Sequence, residues 1–153
     1  MPDSIDNEQA KAQALAEAAA AAMYERDEAT QALGMKIERV APGYARLTMQ
    51  VRKDMLNGHK TCHGGFIFAL ADSAFAFSCN SYNRNTVAAG CSIEYLVPGR
   101  EGDVLTAEAV EQVRSGKTGV YDVAITNQDG VRVALFRGKS HEIKGEVLAT
   151  LAY

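Results

Sequence analysis

The sequence predicts an α+β fold in which a strongly curved antiparallel sheet of about five to six strands encloses one long helix. The segment from Gly64 to about Asn80 is apolar on every helical face, which is typical of a helix buried on all sides. Much of the remaining chain alternates between apolar and polar residues, and short turns separate these segments, which favours antiparallel strands. A helix without a polar face needs an enclosing layer, and a curved sheet supplies it.

The order of the elements follows from local composition. The unbroken alanine run from Ala18 to Ala22 predicts a helix, and the scarcity of large apolar residues around it predicts an accessory position. Residues 1–7 are expected to be disordered or weakly ordered. The turn Ala41-Pro42-Gly43 predicts a hairpin. The predicted elements are a helix over 8–26, strands over 35–40 and 44–51, a loop over 54–63, the central helix, and strands over 87–97, 104–113, 120–126 and 131–143.

Together these elements form the hotdog arrangement, and 153 residues suit a single domain of this kind. We expect an N-terminal Ala-rich helical extension over residues 1–32, the hotdog domain over 33–145 and a C-terminal tail over 146–153.

Composition argues against several classes of protein. Apolar residues make up 47% of the chain and the net charge is −3, so no overall positive field favours nucleic acid or an anionic membrane. The three cysteines lack CxxC spacing and the three histidines lack metal-site spacing, which argues against a disulfide framework and a metal site. The N-terminus lacks the pattern of a signal peptide. We therefore expect a soluble cytoplasmic protein without a metal or cofactor.

Asp72 is the most informative residue because it is an acid within the apolar central helix. Its helical neighbours at three and four residues, none of which pairs with a carboxylate, are Phe68, Ala69, Phe75 and Ala76. Burial of an unpaired charge is costly or raises its pKa, so a chain that keeps an acid there is expected to use it. The alternative is an acid at the helix surface, capped by another segment or by water.

His63, Gly64 and Gly65 stand at the predicted start of this helix. A helix N-terminus presents free backbone N–H groups that can stabilise an oxyanion, and glycine lets a ligand approach them closely. A loop end capped by His63 is the alternative. Asp72 lies about 12 Å along the axis from Gly64, so one helix cannot aim both groups at one atom. If both serve one reaction, two antiparallel helices from two subunits must share the site, which predicts a dimer with two equivalent sites.

Several motifs resemble the phenylacetate-pathway acyl-CoA thioesterases of the hotdog superfamily, over roughly residues 33–145. The motifs are Asn57-Gly58-His59, His63-Gly64-Gly65, Leu70-Ala71-Asp72, the stretch from Cys91 to Pro98 and the stretch from Gly116 to Val123. The resemblance implies hydrolysis of an acyl-CoA, notably phenylacetyl-CoA or hydroxyphenylacetyl-CoA, to the free acid and CoA. It also implies tetramers built from two dimers, with each active site between subunits.

The resemblance assigns a role to each matched residue. Asp72 matches the catalytic carboxylate, and Gly64 matches the glycine whose N–H binds the thioester oxygen. His63 matches the histidine beside it, and Asn57 matches the amide that helps to place the thioester or water. Asp72 either deprotonates a water or attacks directly to form a mixed anhydride, and the sequence leaves both mechanisms open.

Coenzyme A carries phosphates, so local cations are expected to contact it. Arg114 and Lys117 flank the turn Ser115-Gly116, where Gly116 leaves the backbone accessible, and we expect this turn to bind the phosphates. Gly65 is expected to contact the substrate at the start of the central helix. The alternative for the cations is ordinary solvated turn charge.

Two other functions remain open from the sequence. One is a hotdog hydratase or dehydratase, which would use His63 and Asp72 to move a proton to or from carbon. The other is a non-catalytic acyl-CoA-binding or regulatory module, which would keep the pocket without needing Asp72.

Overall fold

The computed structural model describes residues 2–149 and confirms the predicted hotdog fold. Its elements, in chain order, are α1 (Pro2–Arg26), α2 (Glu28–Ala32), β1 (Lys36–Ala41), β2 (Tyr44–Gln50), a 3₁₀ turn (Lys53–Met55), α3 (Gly64–Cys79), β3 (Thr86–Tyr95), β4 (Val104–Ser115), β5 (Thr118–Thr126) and β6 (Arg132–Glu142). Met1 and the last four residues of the predicted tail, 150–153, lie outside the described residues. The division of the chain into extension, domain and tail stays a prediction.

The six strands form one antiparallel sheet in the order β1-β2-β4-β5-β6-β3. The hairpin β1–β2 closes at Gly43, whose φ of 70° suits glycine. Sequence reasoning favoured pairing between successive strands, but β3 pairs with β6 and not with β4. The segment after β3 explains this, because Leu96 N–H bonds to Val133 O and Cys62 N–H bonds to Gly99 O. The chain therefore crosses near the start of α3 before it enters β4, and β3 becomes a sheet edge.

The concave face of the sheet packs against α3. The buried side chains of β5 alternate along the strand, which turns Tyr121, Val123 and Ile125 inward. The Phe75 ring of α3 meets the Tyr121 ring edge to face, with centroids 5.6 Å apart. At Gly138 an added Cβ would lie 2.8 Å from the Phe75 ring, so glycine there lets helix and sheet approach closely.

The sequence predicted a central helix buried on all sides, and this prediction is wrong for one face. The protein's own chain leaves that face of α3 incompletely covered. Half of the residues of α3 are buried, but Phe68, Ala69, Asp72 and Ala76 are among those only half-buried, and Gly65 is exposed. The apolar pattern could not show this difference, because alanine and phenylalanine suit a face covered by another molecule as well as a face covered by the sheet. This incompletely covered face carries Asp72.

The N-terminal helix begins at Pro2, so the prediction of disorder over 1–7 is wrong for residues 2–7. The stretch has no helix breaker after Pro2, and the negative charge of Asp3 in the first turn interacts favourably with the helix dipole. The helix buries only small residues such as Ala16 and Ala19, in agreement with the accessory position expected from its composition. Within residues 2–149, no helix is both long enough and apolar enough to span a bilayer.

Candidate active site

The start of α3 is capped by the side chain of His63. Its Nδ1 accepts a hydrogen bond of 3.0 Å from the Gly65 N–H, so one of the free donors of the first turn is already used. Because Nδ1 is the acceptor, the neutral ring carries its proton on Nε2, which can donate to a ligand. Gly65 was expected to contact substrate, and the structure shows its N–H engaged with His63.

Gly64 lies beside Tyr95, a residue that the sequence did not single out. The Tyr95 hydroxyl donates a 2.9 Å hydrogen bond to the Gly64 carbonyl, which ties the edge strand β3 to the first turn of α3. A Cβ at Gly64 would lie 3.0 Å from the Tyr95 ring, so a side chain there would require the ring to shift. The Gly64 N–H is at the first helical position, where the helix itself offers no acceptor.

Asn57 organises the loop ahead of the helix. Its Oδ1 accepts hydrogen bonds from the N–H groups of His59, at 2.9 Å, and Thr61, at 3.2 Å. Its Nδ2 donates to the Thr61 hydroxyl at 3.0 Å. The Asn57 side chain therefore holds the 57–61 turn in this protomer, and its expected contact with the thioester or water stays a prediction.

Asp72 lines a pocket of about 230 Å³ between α3 and α2. Within residues 2–149 its carboxylate has no hydrogen bond or ion pair. Desolvation raises the pKa of Asp72, and the negative charge of Asp27 raises it further. The unpaired acid expected from the sequence is thus present, and its raised pKa suits a group that accepts a proton near neutral pH.

The sequence did not reveal the short helix α2, which forms the other wall of this pocket. Asp27 caps α2 by accepting from the Thr30 N–H at 2.9 Å, and the Thr30 hydroxyl lies 3.0 Å from the Ser73 hydroxyl of α3. The available signal was Asp27 followed three residues later by Thr30, since aspartate is a strong N-cap residue.

The predicted phosphate-binding turn lies at the far end of α3. Arg114, Gly116 and Lys117 surround a small depression beside Cys79, about 22 Å along the helix from Gly64. Arg114 is already engaged, because its Nε pairs with Glu111 at 2.9 Å and its guanidinium lies 3.5 Å from the centre of the Tyr82 ring. One protomer therefore does not bring this turn and the helix start together.

The buried thiols are poor nucleophiles. Burial raises the pKa of Cys62 to about 11 and that of Cys79 to about 12, so both are protonated near neutral pH. Cys62 and His63 are adjacent, but the His63 Nδ1 accepts from Gly65 and the Cys62 Sγ lies 3.7 Å from the His63 carbonyl oxygen. A nucleophilic Cys62–His63 dyad therefore has no geometric support.

Comparison with known proteins identifies the family. The profile of the thioesterase superfamily matches residues 59–134, which include the start of α3 and Asp72. The chain is 52% identical over 126 residues to the acyl-coenzyme A thioesterase PaaI of Escherichia coli K12, a match that covers 82% of this chain and 90% of the relative. By this evidence the chain belongs to the thioesterase superfamily.

Solved structures of related proteins support the same family assignment. The structure of the E. coli PaaI protein from the phenylacetic acid degradation operon matches with a TM-score of 0.87 and 50% identity, and the match covers 88% of this chain and 97% of that one. A hypothetical thioesterase from Streptococcus pneumoniae TIGR4, solved with coenzyme A, matches with a TM-score of 0.70 and 31% identity over 73% of this chain and 87% of that one.

Proposed function

We infer that this chain is an acyl-CoA thioesterase and that its substrate is an arylacetyl thioester, phenylacetyl-CoA or a ring-hydroxylated relative. The observation that carries the inference is Asp72, an unpaired acid with a raised pKa in a pocket of a thioesterase-superfamily fold. The 52% identity to a relative named as an acyl-coenzyme A thioesterase supports the reaction. The phenylacetic acid operon of that relative supports the arylacetyl group.

The chemistry requires a hydrogen-bond donor that stabilises the oxyanion and a group that activates water. Attack on the thioester carbonyl turns its oxygen into an oxyanion, which the Gly64 N–H and the positive end of α3 stabilise. Asp72 takes the proton of the attacking water, the C–S bond breaks, and the proton passes to the coenzyme A thiolate. The His63 Nε2–H is a further donor at the same helix start. The reaction needs no cofactor beyond the coenzyme A of the substrate.

The active site is shared between two copies of the chain. The edge strand β3 is almost wholly exposed and carries apolar side chains such as Val87 and Tyr95, which are 46% and 51% exposed. Asp72 acts electrostatically on Cys91 of β3, so it lies close to this edge. Antiparallel pairing of β3 with its own copy joins the two sheets and sets the Gly64 end of one α3 against Asp72 of the other.

Two such dimers form a tetramer, and the protein works in the cytoplasm. The outward face of the sheet exposes apolar side chains, among them Val110 and Leu135, at 41% and 40% exposure, which suits a second interface. The three cysteines are free thiols, which suits a reducing compartment.

Hydrolysis rates over a panel of acyl-CoA thioesters test the proposed substrate. We expect kcat/KM for phenylacetyl-CoA and hydroxyphenylacetyl-CoA to exceed that for acetyl-CoA and for palmitoyl-CoA by at least about tenfold, since a matched apolar pocket discriminates by about 1–3 kcal/mol. Similar values for all four thioesters, or a preference for palmitoyl-CoA, would refute the arylacetyl assignment. Addition of water to an enoyl-CoA without hydrolysis would instead identify a hydratase.

A single turnover in ¹⁸O-labelled water separates the two roles of Asp72. If Asp72 is a general base, the label enters the product acid and the Asp72 carboxylate stays unlabelled. A mixed anhydride can instead leave label in the Asp72 carboxylate, which mass spectrometry of the peptide containing Asp72 detects. The raised pKa of Asp72 favours the base, and label in this carboxylate after one turnover contradicts it.

Lys117 is expected to contribute to coenzyme A binding. In the described part of the chain it has no ion pair, whereas Arg114 is paired with Glu111. We expect Lys117→Ala to raise KM about two- to fivefold with kcat unchanged, the size of an exposed charge interaction, and to lose this effect at high salt. Lys53→Ala is the matched control on the 3₁₀ turn. An unchanged KM for Lys117→Ala removes the turn from the coenzyme A site.

A further inference from the structure

A chain of hydrogen bonds connects α2 to the pocket of Asp72, and the mechanism above does not use it. The Asp27 carboxylate accepts from the Thr30 N–H at 2.9 Å and from the Thr30 hydroxyl at 2.7 Å. The Thr30 oxygen lies 3.0 Å from the Ser73 hydroxyl oxygen. Asp27, Thr30 and Ser73 all line the same pocket of about 230 Å³ as Asp72.

The direction of these hydrogen bonds is determined by Asp27. An ionised carboxylate accepts and cannot donate, so the single hydroxyl proton of Thr30 points to Asp27. The Thr30 oxygen is then an acceptor toward Ser73, and the Ser73 proton points to Thr30. The Ser73 oxygen consequently has lone pairs, and no proton, to offer to the pocket.

Titratable groups on three elements act on Asp72. Within residues 2–149 these groups are Asp27 at the start of α2, Cys79 on α3 and Cys91 on β3. Burial raises the pKa of both thiols above the ordinary cysteine value, so they are neutral near pH 7. The negative charge of Asp27 therefore acts on Asp72 without a competing charge from these thiols.

We propose that Asp27 is a positioning residue, which acts through Thr30 and Ser73 to orient the water that Asp72 deprotonates. A water that donates one proton to the Asp72 carboxylate and the other to the Ser73 oxygen has its free lone pair available for the thioester carbonyl. The Asp27 charge also makes Asp72 a stronger base. The proposal rests on the proposed thioesterase function, and it adds α2, which lies outside the matched family profile, to the machinery of the site.

The variant Asp27→Asn tests both effects together. Asparagine still caps α2 through its amide oxygen, but its NH₂ group donates to the Thr30 hydroxyl oxygen. The Thr30 hydroxyl then donates to Ser73, and the Ser73 proton points into the pocket. Loss of the charge lowers the pKa of Asp72, so the acidic limb of kcat/KM moves to lower pH. We expect this shift together with a fall in kcat of about tenfold, the factor that corresponds to one hydrogen bond. Glu28→Gln, the adjacent exposed acid of α2, is the matched control.

Variants of Thr30 separate the hydroxyl chain from the charge. Thr30→Val removes the hydroxyl and keeps Asp27, so we expect kcat to fall while the acidic limb stays in place. Thr30→Ser restores the hydroxyl and is expected to restore kcat. Thermal unfolding of each variant shows whether the fold is intact.

Titration of the Asp72 carboxyl by ¹³C NMR keeps this proposal separate from the proposed function. We expect its midpoint to lie lower in Asp27→Asn than in the wild type and to be unchanged in Glu28→Gln. If the wild type hydrolyses no thioester, the proposed function fails, while this midpoint still decides whether Asp27 acts on Asp72. A folded Asp27→Asn or Thr30→Val variant with an unchanged kcat overturns the positioning role of Asp27. An unchanged midpoint and an unchanged acidic limb in Asp27→Asn refute the action of its charge on Asp72.

Discussion

Replacement of Asp72 by asparagine is expected to lower kcat by a factor of about 10²–10⁴, the range that a positioned general base contributes. Asparagine has the same shape but cannot accept the proton of water, so the pocket remains while the reaction slows. We expect the KM or the dissociation constant for the substrate to change little, because Asp72 acts on the reacting water. Stopped-flow assays with phenylacetyl-CoA, together with calorimetric binding of the same thioester, measure the two effects.

The matched control is Asp54→Asn, which removes an exposed acid that pairs with Arg52 and does not line the pocket of Asp72. It is expected to leave kcat at the wild-type value. Full activity of Asp72→Asn would exclude the carboxylate from the reaction. An inactive wild type that still binds acyl-CoA would instead identify a binding module.

The same substitution is expected to stabilise the fold at neutral pH. The pKa of Asp72 is raised in the folded state above its unfolded value of 3.8, so folding favours the protonated form. Asp72 therefore does not destabilise the fold below pH 3.8. Its destabilising effect grows as pH rises through the folded pKa and is complete above that pKa. We expect Asp72→Asn to raise the free energy of unfolding, measured in urea, by about 1 kcal/mol at pH 7, a common gain when a strained functional residue is replaced. At pH 3 we expect no difference.

Introduction of a charge at Gly90 is expected to separate the dimer and abolish activity. Gly90 lies at the middle of β3, where two antiparallel copies of this strand would come closest to the two-fold axis. In the protomer a Cβ at Gly90 has no heavy atom within 4 Å, so Gly90→Glu does not disturb the fold of the single chain. Two facing glutamates would raise the dimer dissociation constant by about 10²-fold or more, since like charges across an interface cost several kcal/mol.

Analytical ultracentrifugation and activity measured over a range of protein concentrations test this prediction. The control Gln50→Glu makes the same change in charge at an exposed position of β2, away from β3 in the sheet order, and is expected to remain dimeric and active. A monomeric Gly90→Glu variant with wild-type kcat would refute the shared site. A dimeric variant with full activity would move the interface away from β3.

The elements that could be predicted are those with a strong local signal. The central helix was expected from Gly64 to about Asn80 and runs from Gly64 to Cys79, because its composition is apolar throughout and Asn80 caps it. The first hairpin was expected from Ala41-Pro42-Gly43 and is present with Gly43 at positive φ. Asp72 stood out for the same reason, since a charge among apolar residues is visible without coordinates.

The contacts of the site residues could not be predicted. Asn57 holds its own loop and Gly65 bonds to His63, although both residues were expected to face substrate. Tyr95 contacts Gly64 across 31 positions of sequence, and nothing in either local pattern indicates that contact. Hydrogen bonds between distant segments depend on how the strands are ordered, which the local pattern does not contain.

The sequence by itself determined the period of each element, the apolar character of α3 and the isolation of Asp72, because side-chain chemistry and backbone preference act over a few neighbouring residues. The tertiary structure decided that β3 lies at the edge beside β6, that α3 keeps one face open, and that α2 brings Asp27 and Thr30 to the pocket of Asp72. An alternating strand pattern specifies which face is buried and not which strand lies beside it, so strand order and the surroundings of the acid follow only from packing the whole chain.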